Sequence, residues 1–449
     1  MDTAAPSNRT ATAQPENGEA LQPRARTYAL ALLFAIYVLN FLDRQIVNIL
    51  AEEIRNELHL RDWQIGAMTG LAFATLYSVL GFPIARMADR GDRPWIIAIA
   101  VLVWSGFTAV CGLARSFPQF ALARMGVGVG EAGCTPPAHS LISDYVPRAK
   151  RASALAFYSM GGPVGTLLGL IIGGLVADRC GWRAAFLVVA APGVLLGILA
   201  AIILPEPRRG RRGEASRTPP SSLGATLREI GSCRTYWLFT AATTMMALVS
   251  YGHAAFLASF YMRNHAAGLA ELAQALSLGS VGVLGVATGL ITGIGGIFGA
   301  LIGGRLADRA AARTPKGYAT LAAMAAFWSA PPYIAAMLTP STVAALAWLF
   351  PAYFAFNLAL GAMYAVPQSV VSPQNRAMAT ALLLFCTNLL GLGLGPLLAG
   401  AVSDLLQIQF HQTPGDAIRW VQVVDSLFGL VAAALYWSAR PHIERDIKS

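Results

Sequence analysis

Twelve apolar runs, each long enough to cross about 30 Å of hydrocarbon as a helix of roughly 20 residues, leave this chain little choice of fold class. They cover 27–50, 63–88, 94–114, 117–145, 151–177, 183–204, 235–261, 278–307, 318–338, 341–366, 376–403 and 418–439. Lipid offers no hydrogen bonds to the backbone, so each run must satisfy its own amides as a helix. The expected fold is an all-α polytopic membrane protein of twelve transmembrane helices, numbered spans 1 to 12. Composition agrees: 55% of the 449 residues are hydrophobic and 12% charged, where soluble domains carry about 25% charged residues. The net charge of +10 does not point to nucleic acid, because the basic residues fall mostly in short loops between apolar runs.

Those basic residues set the expected orientation. With residues at span ends counted with their loops, 24 Lys/Arg lie on the side of the two termini, 7 on the opposite side, and Arg44 and Arg124 within spans. The excess predicts cytoplasmic termini in the inner (plasma) membrane. Residues 1–26 are polar and lack a secretory core, and are expected to be a disordered cytoplasmic tail. Residues 27–204 form a first six-helix bundle, 205–234 a basic linker, 235–439 a second bundle and 440–449 a cytoplasmic tail. Within the linker, Leu223, Leu227 and Ile230 recur at helical spacing beside Arg228 and Glu229, which predicts a short helix on the inner membrane surface. Five scattered cysteines show no metal or disulfide spacing.

The chain repeats itself. RMADR (86–90) closes span 2 as RLADR (305–309) closes span 8, and GTLLGLIIGGLVAD (165–178) ends span 5 as GLGLGPLLAGAVSD (391–404) ends span 11. Two pseudo-symmetric halves of six helices follow, an arrangement that usually frames a substrate site at the membrane midplane. On these features the sequence resembles the major facilitator superfamily. The superfamily's loop signature is matched at Asp89-Arg90 and again at Gly304, Asp308 and Arg309, while Ala85 stands where its glycine belongs. YVLNFLDRQ in span 1, ARMGVGVGEAGCTPPAHSLISDY in span 4 and AFYSMGGPVGTLLG in span 5 resemble the spinster-like family of lysolipid and sphingolipid transporters. The resemblance implies alternating access around a cavity lined mainly by spans 1, 4, 7 and 10, and proton-coupled movement of amphipathic lipids. It also implies that Asp89, Arg90, Asp308 and Arg309 hold the cytoplasmic side closed.

Charges within spans cost about 2.5–3.5 kcal/mol each on insertion scales and are usually paired and functional. The well-embedded set is Asp43, Arg44, Arg124 and Glu131, with Asp425 a weaker fifth. At about 1.5 Å per residue, Asp43 in span 1 and Arg124 in span 4 lie at matching depth, roughly 10 Å below the outer surface. Glu131 follows Arg124 by seven residues, nearly two turns, and so shares its face about 10 Å deeper. Two acids and two bases sum to zero. Protonating Asp43 or Glu131 leaves an excess of guanidinium charge for an anionic head group, with Arg124 the first choice to meet it and Arg44 the second. A static ion-pair set that only fixes helix register is the plainer alternative. Tyr37, Asn40, Asn48, Tyr158, Tyr251, His253, Phe256, Asn357 and Tyr364 are further candidates to line the cavity, although aromatics in spans more often pack. No zinc-protease, nucleophile-elbow or phosphate-loop motif appears, so an enzyme or a channel is disfavoured and no cofactor is expected beyond a proton gradient. The expected partners are an amphipathic substrate and membrane lipids, with the chain a monomer; small organic-anion or drug transport is the alternative function.

Overall fold

The computed structural model describes residues 22–147, 150–207 and 223–446. The tail up to residue 21, linker residues 208–222 and the last three residues lie outside them. Among the described residues ten helices are long and apolar enough to cross a membrane, from Pro23–Leu58 to Pro414–Asp446. One of these, Ser153–Ile203, holds spans 5 and 6, because the chain turns at Gly181, whose φ of 79° and ψ of 163° are open to glycine alone among common residues. Span 4 is divided into Phe117–Glu131 and Thr135–Tyr145. With these two points resolved, the twelve expected spans are all present as helices.

Several helices overrun their expected limits. Span 1 is Pro23–Leu58 and span 12 continues past residue 439 to Asp446, so the described part of the expected C-terminal tail is helical. Hydropathy marks only the lipid-matched part of a helix, and the polar ends project beyond it. A helix also occupies Leu223–Ser232 in the linker, with Ile230 and Thr226 buried and Leu227 exposed. It is anchored to the second half: Glu229 accepts hydrogen bonds from the backbone N–H and hydroxyl of Ser372.

Spans 2 and 11 each contain a π-helical stretch, Ala67–Leu71 and Thr387–Leu394. The two stretches face one another where the halves meet, a placement typical of functional sites.

The halves are latched together at one end. Among the described residues, every hydrogen bond and ion pair that joins them lies at the end away from the termini. Arg263 at the end of span 7 bridges Glu52 and Asp62, each at 2.8 Å. Ser403 and Gln407 of span 11 also donate to Asp62. The carboxylate of Asp404, at the end of span 11, accepts from the first backbone N–H groups of span 2, Asp62 at 3.1 Å and Trp63 at 2.9 Å. Its counterpart in the sequence repeat, Asp178 at the end of span 5, accepts from Gly282 N–H at the start of span 8, at 2.8 Å. At the other end Arg93, fully buried, binds Asp144 of the first half and Glu206 at the start of the linker. Among the described residues the molecule is therefore latched at the far end.

Candidate functional site

The embedded charges form two ion pairs between two helices, span 1 and the first part of span 4. Arg44 Nε donates to Glu131 Oε2 at 2.7 Å, with the Glu131 side chain fully buried and that of Arg44 14% exposed. Arg124 Nη1 lies 3.6 Å from Asp43 Oδ2, and both are buried. The matched depth of Asp43 and Arg124 thus becomes a contact. Glu131, on the Arg124 face, reaches instead to Arg44. Adjacent residues of a helix diverge by about 100°, which sends Asp43 and Arg44 to different partners on span 4.

The two pairs are not equally tight. Neither Asp43 Oδ2 nor Arg124 Nη1 has a hydrogen-bond partner among the described residues, while Arg44 and Glu131 share a short charge-assisted bond. Thr108, a buried residue of span 3, donates its hydroxyl to Asp43 Oδ1 at 2.6 Å. The Arg44 guanidinium lies 4.8 Å from the ring centres of both Phe73 and Tyr77 and 5.4 Å from that of Phe41. Arg124 lies 5.2 Å from the Phe73 ring. Rings with negative faces hold a guanidinium in a site that water reaches poorly.

The glycines of span 4 serve this packing. An ideal Cβ would come within 2.4 Å of the Phe107 ring at Gly126, 2.5 Å of Phe73 O at Gly128 and 2.5 Å of Trp104 N at Gly130. They bring spans 2 and 3 against span 4 and leave no ligand space there.

A cavity of about 440 Å³ opens beside the pairs, between the halves. From the first half it is lined by Phe41, Arg44, Gln45, Asn48, Phe73 and Arg124; from the second by Tyr251, Leu392 and Pro396. Both π-helical stretches reach it, through Thr69 and Leu392. Among the described residues its charged lining, Arg44 and Arg124, comes from the first half.

Of the expected lining residues, Asn48 and Tyr251 face this cavity. His253 faces a second one, of about 410 Å³, enclosed by spans 7, 9, 10 and 12 of the second half, where it stacks on Tyr333 at 3.6 Å. The others line neither of these two cavities. Asn40, Tyr158 and Phe256 are buried and line neither cavity, Tyr37 stacks on Tyr158, and Asn357 donates to the Tyr353 carbonyl. Tyr364 is 40% exposed and lines neither. Asp308 and Arg309 are exposed, with no ion pair among the described residues, and the side chains of Asp89 and Arg90 lie outside that set. Asp425 is buried with Oδ2 unpartnered among the described residues. Sequence reasoning missed Thr108, the Arg93 network, and the Glu52–Asp62–Arg263 cluster that closes the far end.

Comparison with known proteins places this architecture. The profile of the Major Facilitator Superfamily matches residues 33–391. An MFS-type efflux pump of Mycolicibacterium smegmatis is 32% identical, over 95% of each chain. Protein spinster of Drosophila melanogaster is 25% identical over 88% of this chain and 64% of its own length. The inward-facing, unoccupied crystal structure of a bacterial homolog to the human lysosomal transporter Spinster superposes with a TM-score of 0.82 at 33% identity, covering 95% of this chain and 99% of that one. The chain belongs to the major facilitator superfamily as a spinster-like transporter. Its fold and relatives are those of transporters, which ends the enzyme reading.

Proposed function

We propose that this transporter moves amphipathic lipids, of the lysophospholipid or sphingolipid-like kind, by proton-coupled alternating access. The carrying observation is the asymmetry of the interfacial cavity. Arg44 and Arg124 line it from one half, while the other offers Leu392, Pro396 and the ring of Tyr251. A ligand with an anionic head and an apolar tail satisfies both walls. Arg44, more exposed than Arg124 and beside Gln45 and Asn48, is the better placed to meet the head group, which reverses the order read from depth alone.

Coupling follows from charge balance. While Asp43 and Glu131 are ionised, the four charges cancel and each guanidinium is engaged. A proton on one carboxylate leaves a net positive charge beside the cavity, which favours an anionic head group; its loss restores pairing and favours release. The termini are proposed to be cytoplasmic and the membrane the inner one. The Lys/Arg excess on the termini side supports this, as does the likeness to an inward-facing structure in a molecule whose latch lies at the end away from its termini.

The test uses the purified full chain in liposomes, with a fluorescent lysophosphatidylglycerol and a radiolabelled short carboxylate as probes, with and without an imposed pH gradient. Gradient-driven movement of the lysolipid alone is expected. Movement of the carboxylate alone overturns the lipid reading in favour of small organic-anion transport. A second reading, efflux of amphiphilic drugs, is supported by the efflux pump that is 32% identical; ethidium efflux in the same liposomes measures it.

A further inference from the structure

We infer that Thr108 positions the Asp43 carboxylate and relays its protonation state to span 4. This rests on the proton-coupled reading above. A hydroxyl has one hydrogen to give, yet Thr108 Oγ1 lies within reach of two acceptors: Asp43 Oδ1 at 2.6 Å and the Trp104 carbonyl one turn earlier at 2.9 Å. The charge on Asp43 decides between them. An ionised carboxylate is the stronger acceptor and takes the hydrogen. When a proton adds to Oδ2, which holds no hydrogen bond, Oδ1 becomes an ordinary acid carbonyl and the amide carbonyl of Trp104 is then the better acceptor. The hydroxyl rotates, and span 3 gains a side-chain bond to its own backbone of the kind that bends helices.

The bend would be felt at the second ion pair. The backbone at Trp104 presses on span 4 at Gly130, where an ideal Cβ would lie 2.5 Å from Trp104 N, and Gly130 immediately precedes Glu131. Thr108 is thus the only residue that touches Asp43 and hydrogen-bonds the span 3 turn that packs beside the Glu131–Arg44 pair, among the described residues. The other charged or titratable groups around Asp43 are Arg124 from span 4, the neighbouring Arg44, Glu131 and Cys111 of span 3. None of them offers Oδ1 a hydrogen bond among the described residues.

Three full-length variants in lysolipid-transporting liposomes test this: Thr108→Val, Thr108→Ser and Asp43→Asn. Valine keeps the shape and removes the donor, so Asp43 keeps its proton to higher pH. The pH of half-maximal transport is expected to rise by about one to two units. Serine keeps the hydroxyl and is expected to retain the parent profile. Thr108→Ala supplies the same measurement if the valine variant does not fold. A parent-like profile in both donor-free variants, or a serine variant that shifts as valine does, overturns the inference. In either case a flat profile in Asp43→Asn leaves the coupling reading standing, whereas a parent-like profile in Asp43→Asn leaves Glu131 as the carrier and overturns the inference; a parent-like profile in Asp43→Asn/Glu131→Gln removes the coupling reading itself.

Discussion

At the scale of single residues, each buried ion pair is more expensive to halve than to remove. Leaving one charge of a buried pair unpartnered costs about 3–5 kcal/mol, while exchanging both for neutral groups is often tolerated. Arg124→Gln alone is therefore expected to lower the melting temperature markedly, and Asp43→Asn/Arg124→Gln together to recover most of it without recovering pH dependence. Thermal unfolding in detergent, beside transport in liposomes, checks both halves of that statement. Arg44→Lys is expected to cut transport at least tenfold, because an ammonium cannot keep the flat seat between Phe73 and Tyr77 while bonding Glu131. The contact of Asp43 with Arg124 was legible because helical rise fixes depth. The partner of Glu131 was not, since helix tilt and rotation decide which of two guanidinium groups a deep carboxylate meets. Thr108 left no signal at all: threonines in spans usually bond their own helix, and only the approach of span 1 gives this one a second acceptor.

At the scale of helices, Asp178 and Asp404 perform the same act in the two halves. Each ends a helix, and each caps with its carboxylate the N-terminus of a helix in the opposite half, where unpaired N–H groups and the helix dipole welcome negative charge. The repeat that aligned these residues identified the helix ends but not their partners, which exist only when the far end is shut. Asp178→Ala/Asp404→Ala is expected to shift the population toward opening at the far end. Spin labels at Arg115 and Ala275, in a chain whose own cysteines are replaced, report the distance across that end; an unchanged distribution contradicts the prediction. Asp416, which pairs with Arg419 and Thr413 inside the second half, serves as the control for a generic loss of acid. Gly181→Ala forces a side chain into φ near 79° and is expected to cost about 1–3 kcal/mol, read as a lower melting temperature. The break in span 4 and the π-helical stretches escaped the hydropathy pattern, because their apolar sequence differs little from that of regular helix.

At the scale of the whole molecule, the twelve spans and their duplication are written in apolar run lengths and repeated motifs, and the fold follows from them. Which end is open is not, because one sequence must support both access states with nearly equal free energy. The structure shows the state in which the far end is latched by Arg263, Asp404 and Asp178. In that state the expected inner contact residues Asp308 and Arg309 are exposed, and closure of the termini end is expected to engage them. The charge is asymmetric although the fold is not: the first half carries both ion pairs beside the cavity, and the second lines it with Tyr251, Leu392 and Pro396. The central claim is that protonation of this cluster drives transport of an anionic amphiphile. Its most direct measurement is lysophosphatidylglycerol transport in liposomes across a pH gradient by the parent chain and by Asp43→Asn/Glu131→Gln. The account predicts gradient-driven transport in the parent and loss of that gradient dependence in the double variant; equal gradient-driven rates in the two would contradict it.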